Sequence, residues 1–177
     1  SVFSNAHALF ALGQLGQRDE ATETFLRRRQ AADGCWLADK WHSSWIYTTL
    51  EVVLALSRLG HLDHLHKTVN VLLAHQDADG SWGAYAQASQ VETSYAVLAL
   101  YHLHCLGLLD ETSVGALQRG QVWLAHHYQP YTYSDERHWL GKELYTPYRV
   151  DRIYILCANL TTTLMPEELW SWQKTLV

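Results

Sequence analysis

Apolar and polar residues recur along this chain with the spacing of amphipathic helices, in segments broken by glycine, proline and short polar runs. From Asn5 to Leu15, Ala6, Leu9, Phe10 and Leu12 share one helical face, with Ser4 placed as N-cap and Gly16 just beyond. Asp19 caps a second helix running to Gln30, with Ala21, Phe25 and Leu26 inward. Arg27, Arg28 and Arg29 near its end suit the helix dipole and read as a solvated terminus. A third helix ends at Leu59 before Gly60, and a fourth spans Asp63 to His75 with Leu65, Val69, Leu72 and Leu73 inward. The segment Glu92-Thr93-Ser94-Tyr95 leads into a fifth, ending near Gly107, and Asp110 caps a sixth running to about Tyr128. Pro147 opens a helix to about Asn159, and Pro166 a short last one containing Trp170 and Trp172. No stretch alternates convincingly with the period of a strand.

Two of the breaks are copies of each other. Gln30, Asp33, Gly34 and Trp36 recur as Gln76, Asp79, Gly80 and Trp82, each displaced by 46 positions. In such a turn the Asp side chain can bond its own backbone two residues on, while Gly accepts a positive φ. Gln129-Pro130 falls where a third copy is due, without the Asp-Gly-Trp part. The helices between the turns alternate in kind: Phe10-Ala11-Leu12, Leu54-Ala55-Leu56 and Leu98-Ala99-Leu100 recur every 44 residues, and the intervening helices are more charged. A single pair cannot bury its apolar face, so neighbouring pairs must stack, the apolar set inside and the amphipathic set outside. The expected fold is all-α, one domain over residues 1–177, forming part of a ring of paired helices.

Composition narrows the function. With 48% hydrophobic residues the chain can bury a sizeable core, and a net charge of −5 with interspersed signs leaves no basic footprint for nucleic acid. No apolar run approaches the roughly 18 residues of a membrane span. The three cysteines, Cys35, Cys105 and Cys157, form neither a disulfide framework nor a metal clamp, and together with the lack of a signal peptide they set a cytoplasmic expectation. His64 and His66 lie two apart, roughly 200° around a helix, so with His61 they read as surface histidines and no metal site is expected. Eight Trp and ten Tyr stand against three Phe, a balance that favours electron-rich faces with polar handles over a plain core. The chain opens at Ser1-Val2-Phe3-Ser4, almost inside a helix and without an initiator Met, so a fragment is expected.

Taken together, the paired turns, Asp39-Lys40-Trp41-His42 with Tyr47-Thr48-Thr49, Glu92-Thr93-Ser94-Tyr95-Ala96, and Gly141-Lys142-Glu143-Leu144-Tyr145-Thr146-Pro147 resemble the C-terminal part of a bacterial class II diterpene cyclase domain. Ser4-Asn5-Ala6-His7 resembles a segment of the same domain. The resemblance covers nearly the whole chain and implies an (α/α)6-type toroid, incomplete here because about four pairs are present. It also implies a chemistry: an Asp-x-Asp-Asp motif protonates the terminal alkene of a linear prenyl diphosphate, the cation closes rings, and the diphosphate is retained. Geranylgeranyl diphosphate is the expected substrate, with farnesyl diphosphate second, and Mg²⁺ rides on the diphosphate without ligands from this chain. No Asp-x-Asp-Asp occurs in the sequence, so the proton donor and a second helical domain are expected in a missing N-terminal part, and this chain alone should be inactive.

The resemblance implies catalytic places for Tyr47, His42, Tyr95 and Tyr145, and substrate contacts for Trp41, Trp45, Glu92, Lys142 and Trp139. Each also has a plainer reading. The tyrosines could be core residues with satisfied hydroxyls, Glu92 could fix a helix start, and Lys142 could pair with an acid instead of a diphosphate. Trp36 and Trp82 are read as turn clamps. A prenyltransferase β-subunit, related in fold, needs a zinc-binding Asp-x-Cys that neither Cys105 nor Cys157 provides, and a complement-type toroid needs a thioester motif that is absent. A non-catalytic cyclase-derived scaffold remains as the alternative, and squalene as a further substrate class.

Overall fold

The two repeated turns build the architecture. In the computed structural model, which describes residues 1–85, 87–129, 137–140 and 144–163, each turn glutamine reaches from the end of one outer helix to the next. Gln30 Nε2 donates to Gly34 O at 2.9 Å within its own turn and to His64 O at 2.8 Å across the gap. Gln76 Nε2 repeats this with Gly80 O at 3.0 Å and Ala116 O at 2.9 Å. The tryptophans point the other way: Trp36 Nε1 donates to Leu26 O and Trp82 Nε1 to Leu72 O, at 2.7 and 2.8 Å, and both rings are fully buried. Their backbone N–H groups donate to Thr49 and Thr93 hydroxyls on the following inner helices, both at 3.0 Å. One turn therefore pins three helices.

Seven helices result among the described residues: α1 (Val2–Gln14), α2 (Glu20–Arg28), α3 (Trp45–Arg58), α4 (Leu65–Ala74), α5 (Gln90–Cys105), α6 (Glu111–His127) and α7 (Tyr148–Leu160). The inner row runs α1, α3, α5, α7, each packed on the next, while α2, α4 and α6 lie outside. Helices α3 and α5 are buried nearly all round, covered on both flanks by neighbouring helices. α1 buries only Ala6, Leu9 and Gly13, because among the described helices α3 covers one flank and α2 another. The core fills the space between the rows as two clusters, one around Trp36 and one around Trp82. The all-α arrangement of paired helices stands as expected.

Several boundaries differ from the expectation for physical reasons. α1 starts at Val2 with Ser1 as N-cap, not Ser4. The Asp39 carboxylate accepts from Phe3 N at 2.9 Å and from Ser1 Oγ at 2.6 Å, and so organises the first turn earlier. α4 starts at Leu65, without a cap from Asp63, and His64 occupies the N-cap position in helical geometry. Asp19 and Asp110 do cap α2 and α6 as expected, the latter in a reciprocal capping box with Ser113. A small hairpin was not anticipated: β1 (Trp139–Leu140) pairs antiparallel with β2 (Leu144–Tyr145), and His42 bridges to Trp139. Two-residue strands are too short to display a period of two. The helix expected from Pro166, with Trp170 and Trp172, lies outside the described residues.

Away from the turns, Glu23 ties the α1–α2 connection to the α3–α4 connection. Its buried carboxylate takes Arg18 Nη2 and His61 Nε2, both at 2.6 Å, and Arg18 lowers its pKa to about 2.

Two predictions follow from these clamps. Gly34 and Gly80 sit at φ +105° and +99°, and an added Cβ would lie 2.5 Å from the Lys67 carbonyl or 2.8 Å from Arg119 O. Gly34→Ala and Gly80→Ala should each cost about 2 kcal/mol or more, read by urea denaturation, and a loss below about 0.5 kcal/mol would contradict the clamp. For Glu23 the folded pKa is depressed, so its stabilisation is complete above about pH 4.5 and fades as pH falls toward 2. Glu23→Gln should lower the melting temperature at neutral pH and flatten its decline over that acid window.

Candidate active site

The inner helices α3 and α5 begin where the turn connections deliver them, and the first turn of α3 aims Tyr47 inward. Tyr47 is the third residue of α3 and is 1% exposed. Around it the rings of His42, Tyr95, Trp139, Phe3 and Tyr154 have centroids 4.2, 4.8, 5.3, 5.3 and 5.6 Å away. The Tyr95 and Tyr154 centroids are 5.0 Å apart, those of His42 and Trp139 4.9 Å, and His7 adds an edge contact to Phe3 at 4.3 Å. These rings come from α1, the loop before α3, α3, α5, β1 and α7.

Acidic groups stand behind the rings. Tyr154 donates its hydroxyl to Glu51 Oε1 at 2.8 Å, with Tyr47 OH 3.4 Å away, and His7 Nε2 pairs with Glu51 Oε2 at 2.8 Å. Trp139 Nε1 donates to Asp151 Oδ1 at 3.2 Å, and Glu92 Oε2 lies 3.9 Å from His138 Nε2. Burial, first, and these neighbouring acids, second, raise the Tyr47, Tyr95 and Tyr154 phenols above their ordinary range, so all three remain protonated.

The electrostatics of His42 are different. Burial, then the nearby His138, pushes its pKa down to about 3, so it is neutral. Ser44 N–H donates to Nδ1 at 3.1 Å, which assigns the ring proton to Nε2. That Nε2–H, the Tyr95 hydroxyl and the Ser44 hydroxyl are all buried without a hydrogen-bond partner among the described residues. Buried donors without acceptors cost free energy and mark a place where a further group is due.

Of the residues expected from sequence, Tyr47, His42, Tyr95 and Trp139 meet in this cluster. Glu92 is buried at the start of α5, where its N–H bonds the Ser89 cap while its side chain turns toward His138. Trp41 is 41% exposed with Lys40 Nζ over its ring, and Trp45 faces outward onto His75. Trp45 lies two positions before Tyr47 on one helix, so the two side chains leave opposite sides. The Tyr145 backbone pairs with Trp139, and Lys142 lies outside the described residues. Sequence reasoning missed Phe3, His7, Glu51, His138, Asp151 and Tyr154 as site residues. The spacing of Glu51 four after Tyr47, and of Tyr154 three after Asp151, was the available signal.

The imidazoles should titrate far apart. His42 should stay neutral between about pH 5 and 8 in side-chain NMR, because its pKa lies near 3. His7, raised above 6.5 by its Glu51 hydrogen bond, should titrate above that value. Its pairing with Glu51 stabilises below pH 6.5 and is lost as pH rises through the raised pKa. Titration of both histidines near 6.5 would contradict the geometry.

Comparison with known proteins bears on this arrangement. The family model described as the squalene–hopene cyclase C-terminal domain matches residues 4–161. A (+)-kolavenyl diphosphate synthase of Herpetosiphon aurantiacus is 41% identical over 93% of this chain and 32% of its own length. An ent-copalyl diphosphate synthase of a Streptomyces species is 34% identical over 94% of this chain and 34% of its own. The solved ent-copalyl diphosphate synthase from Streptomyces platensis superposes with a TM-score of 0.78 at 34% identity, covering 91% of this chain and 33% of that one. The chain thus spans about a third of the length of the relatives it matches. With its paired helices and its turns, the chain belongs to the squalene–hopene cyclase C-terminal domain family, alongside the bacterial class II diterpene cyclases.

Proposed function

We propose that this chain supplies part of the reaction-cavity wall of a class II diterpene cyclase that converts a linear prenyl diphosphate, geranylgeranyl diphosphate first, into a cyclised diphosphate. The observation that carries the reading is the packed cluster of Tyr47, Tyr95, Tyr154, Trp139, Phe3 and His42, with ring centroids 4.2 to 5.6 Å from Tyr47. A cation formed on a hydrocarbon chain cannot be solvated by water without being quenched. Neutral aromatic faces in a dry pocket attract it without bonding to it. Protonated phenols and a neutral imidazole fit that task, since none is an anion facing the cation.

The reaction needs an acid strong enough to protonate an alkene, and the sequence contains no Asp-x-Asp-Asp. In this reading the acid comes from another part of the full-length protein. The buried His42 Nε2–H and Tyr95 O–H, which have no acceptor among the described residues, suit its carboxylate. Donors aimed at a carboxylate stabilise it after the proton leaves and so strengthen the acid. The alkene π pair takes the proton, later alkenes close rings onto the cation, and a final C–H proton is lost or water adds. Among the described residues no group of three or more His, Cys, Asp or Glu stands ready to hold a metal. Mg²⁺ would enter as the counterion of the substrate diphosphate. No described helix is long and apolar enough to cross a membrane.

The test incubates the full-length protein, and residues 1–177 alone, with geranylgeranyl diphosphate and Mg²⁺, followed by dephosphorylation and gas chromatography–mass spectrometry. A cyclised diterpene alcohol from the full-length protein only is the expected result. No cyclised product from the full-length protein with geranylgeranyl diphosphate, farnesyl diphosphate or squalene would overturn the reading and leave a non-catalytic scaffold.

A further inference from the structure

Tyr154 joins the ring cluster from α7, and its hydroxyl leads to a buried carboxylate. Its ring stands edge-on to both Tyr47 and Tyr95, at interplanar angles of 86° and 84°. Its O–H donates to Glu51 Oε1, while the second carboxylate oxygen is held by His7 Nε2, each at 2.8 Å. Glu51 is 5% exposed, so α1, α3 and α7 meet at one buried carboxylate.

Carbocation chemistry makes an awkward demand on such a charge. Negative potential stabilises the cation, but a carboxylate within reach would add to it or take its proton and end the cascade early. A phenol placed between the two removes the conflict. When O–H donates to a carboxylate, electron density moves toward the ring, and the ring face becomes more negative while remaining non-nucleophilic. Trp139 shows the same arrangement more weakly, its indole N–H donating to Asp151 at 3.2 Å.

We propose that Glu51 is a positioning residue that acts through the Tyr154 hydroxyl, fixing that ring and enriching its face so that the cavity wall binds positive charge. The proposal rests on the cavity reading above. Glu51 does not touch the substrate. His7 holds the far carboxylate oxygen, which keeps the near one on Tyr154 instead of turned into the cavity.

The test uses the full-length protein and a probe that reads positive charge without turnover. A tertiary-ammonium prenyl analogue and its neutral carbon isostere are titrated by calorimetry into wild type, Glu51→Gln, Tyr154→Phe and the double variant. Wild type should prefer the cation by about tenfold. Glu51→Gln, which keeps an acceptor for the hydroxyl, and Tyr154→Phe, which keeps the charge, should each lose most of that preference. The double variant should lose no more than either. In turnover, each should lower kcat about tenfold with KM within about twofold, and shift products toward incompletely cyclised ones. A wild-type preference retained in either single variant, or losses that add in the double, overturns the proposal. If Glu51→Gln does not fold, Tyr154→Phe alone decides, because a charge acting through space would leave its preference intact. Absence of cyclised product from wild type counts against the cyclase reading alone, while the ammonium preference still judges this one.

Discussion

A helix ends with carbonyls that have no partner within it, and a stack of paired helices has many such ends to satisfy. Here the turn tryptophans meet part of that demand, bonding Leu26 O and Leu72 O in the last turns of α2 and α4, while the turn glutamines tie each turn to the next outer helix. Gln30 bonds a carbonyl of its own turn and the carbonyl of His64 at the N-cap of α4, and Gln76 one unit later bonds a carbonyl of its own turn and that of Ala116 in α6. Because Trp36 and Trp82 close the helices behind and Thr49 and Thr93 receive the chain ahead, each turn sets the spacing of both rows at once. The ring cluster depends on this spacing. Tyr47 and Tyr95 enter it from helices whose starts those threonines fix.

The repeated turn was legible because everything that makes it lies within seven residues. The caps at Asp19 and Asp110 were legible for the same reason, since their acceptors serve N–H groups two or three residues on. The start of α1 was not, because Asp39, distant in sequence, organises it. Of the four expected site residues that meet in the cluster, His42, Tyr47 and Tyr95 follow the two repeated turns, whereas Trp139 enters from β1. Glu51, Tyr154, Phe3 and His7 went unread because their meeting is a product of packing among α1, α3 and α7. Trp41 and Trp45 share the residue type of the ring cluster without its direction, and composition cannot supply direction.

The site divides its labour by depth. Neutral rings face one another at its centre, and the acids stand at their outer edges, each engaged by a donor: Glu51 by Tyr154 and His7, Asp151 by Trp139. His42 and Tyr95 hold donors that other described residues do not satisfy. Under the function proposed above, such a cluster is preorganised for positive charge on one side and for an acceptor on the other, through side chains locked by packing.

The forward reach of the glutamines also bears on the order in which the fold can close during synthesis. Gln30 finds its acceptor in its own turn as soon as Gly34 has been made, but its second, at His64, only 34 residues later. Gln76 waits 40 residues for Ala116. Each latch can therefore close only once the next outer helix has been made. The array is fastened from the N-terminal side, with the newest outer helix always the one still to be caught.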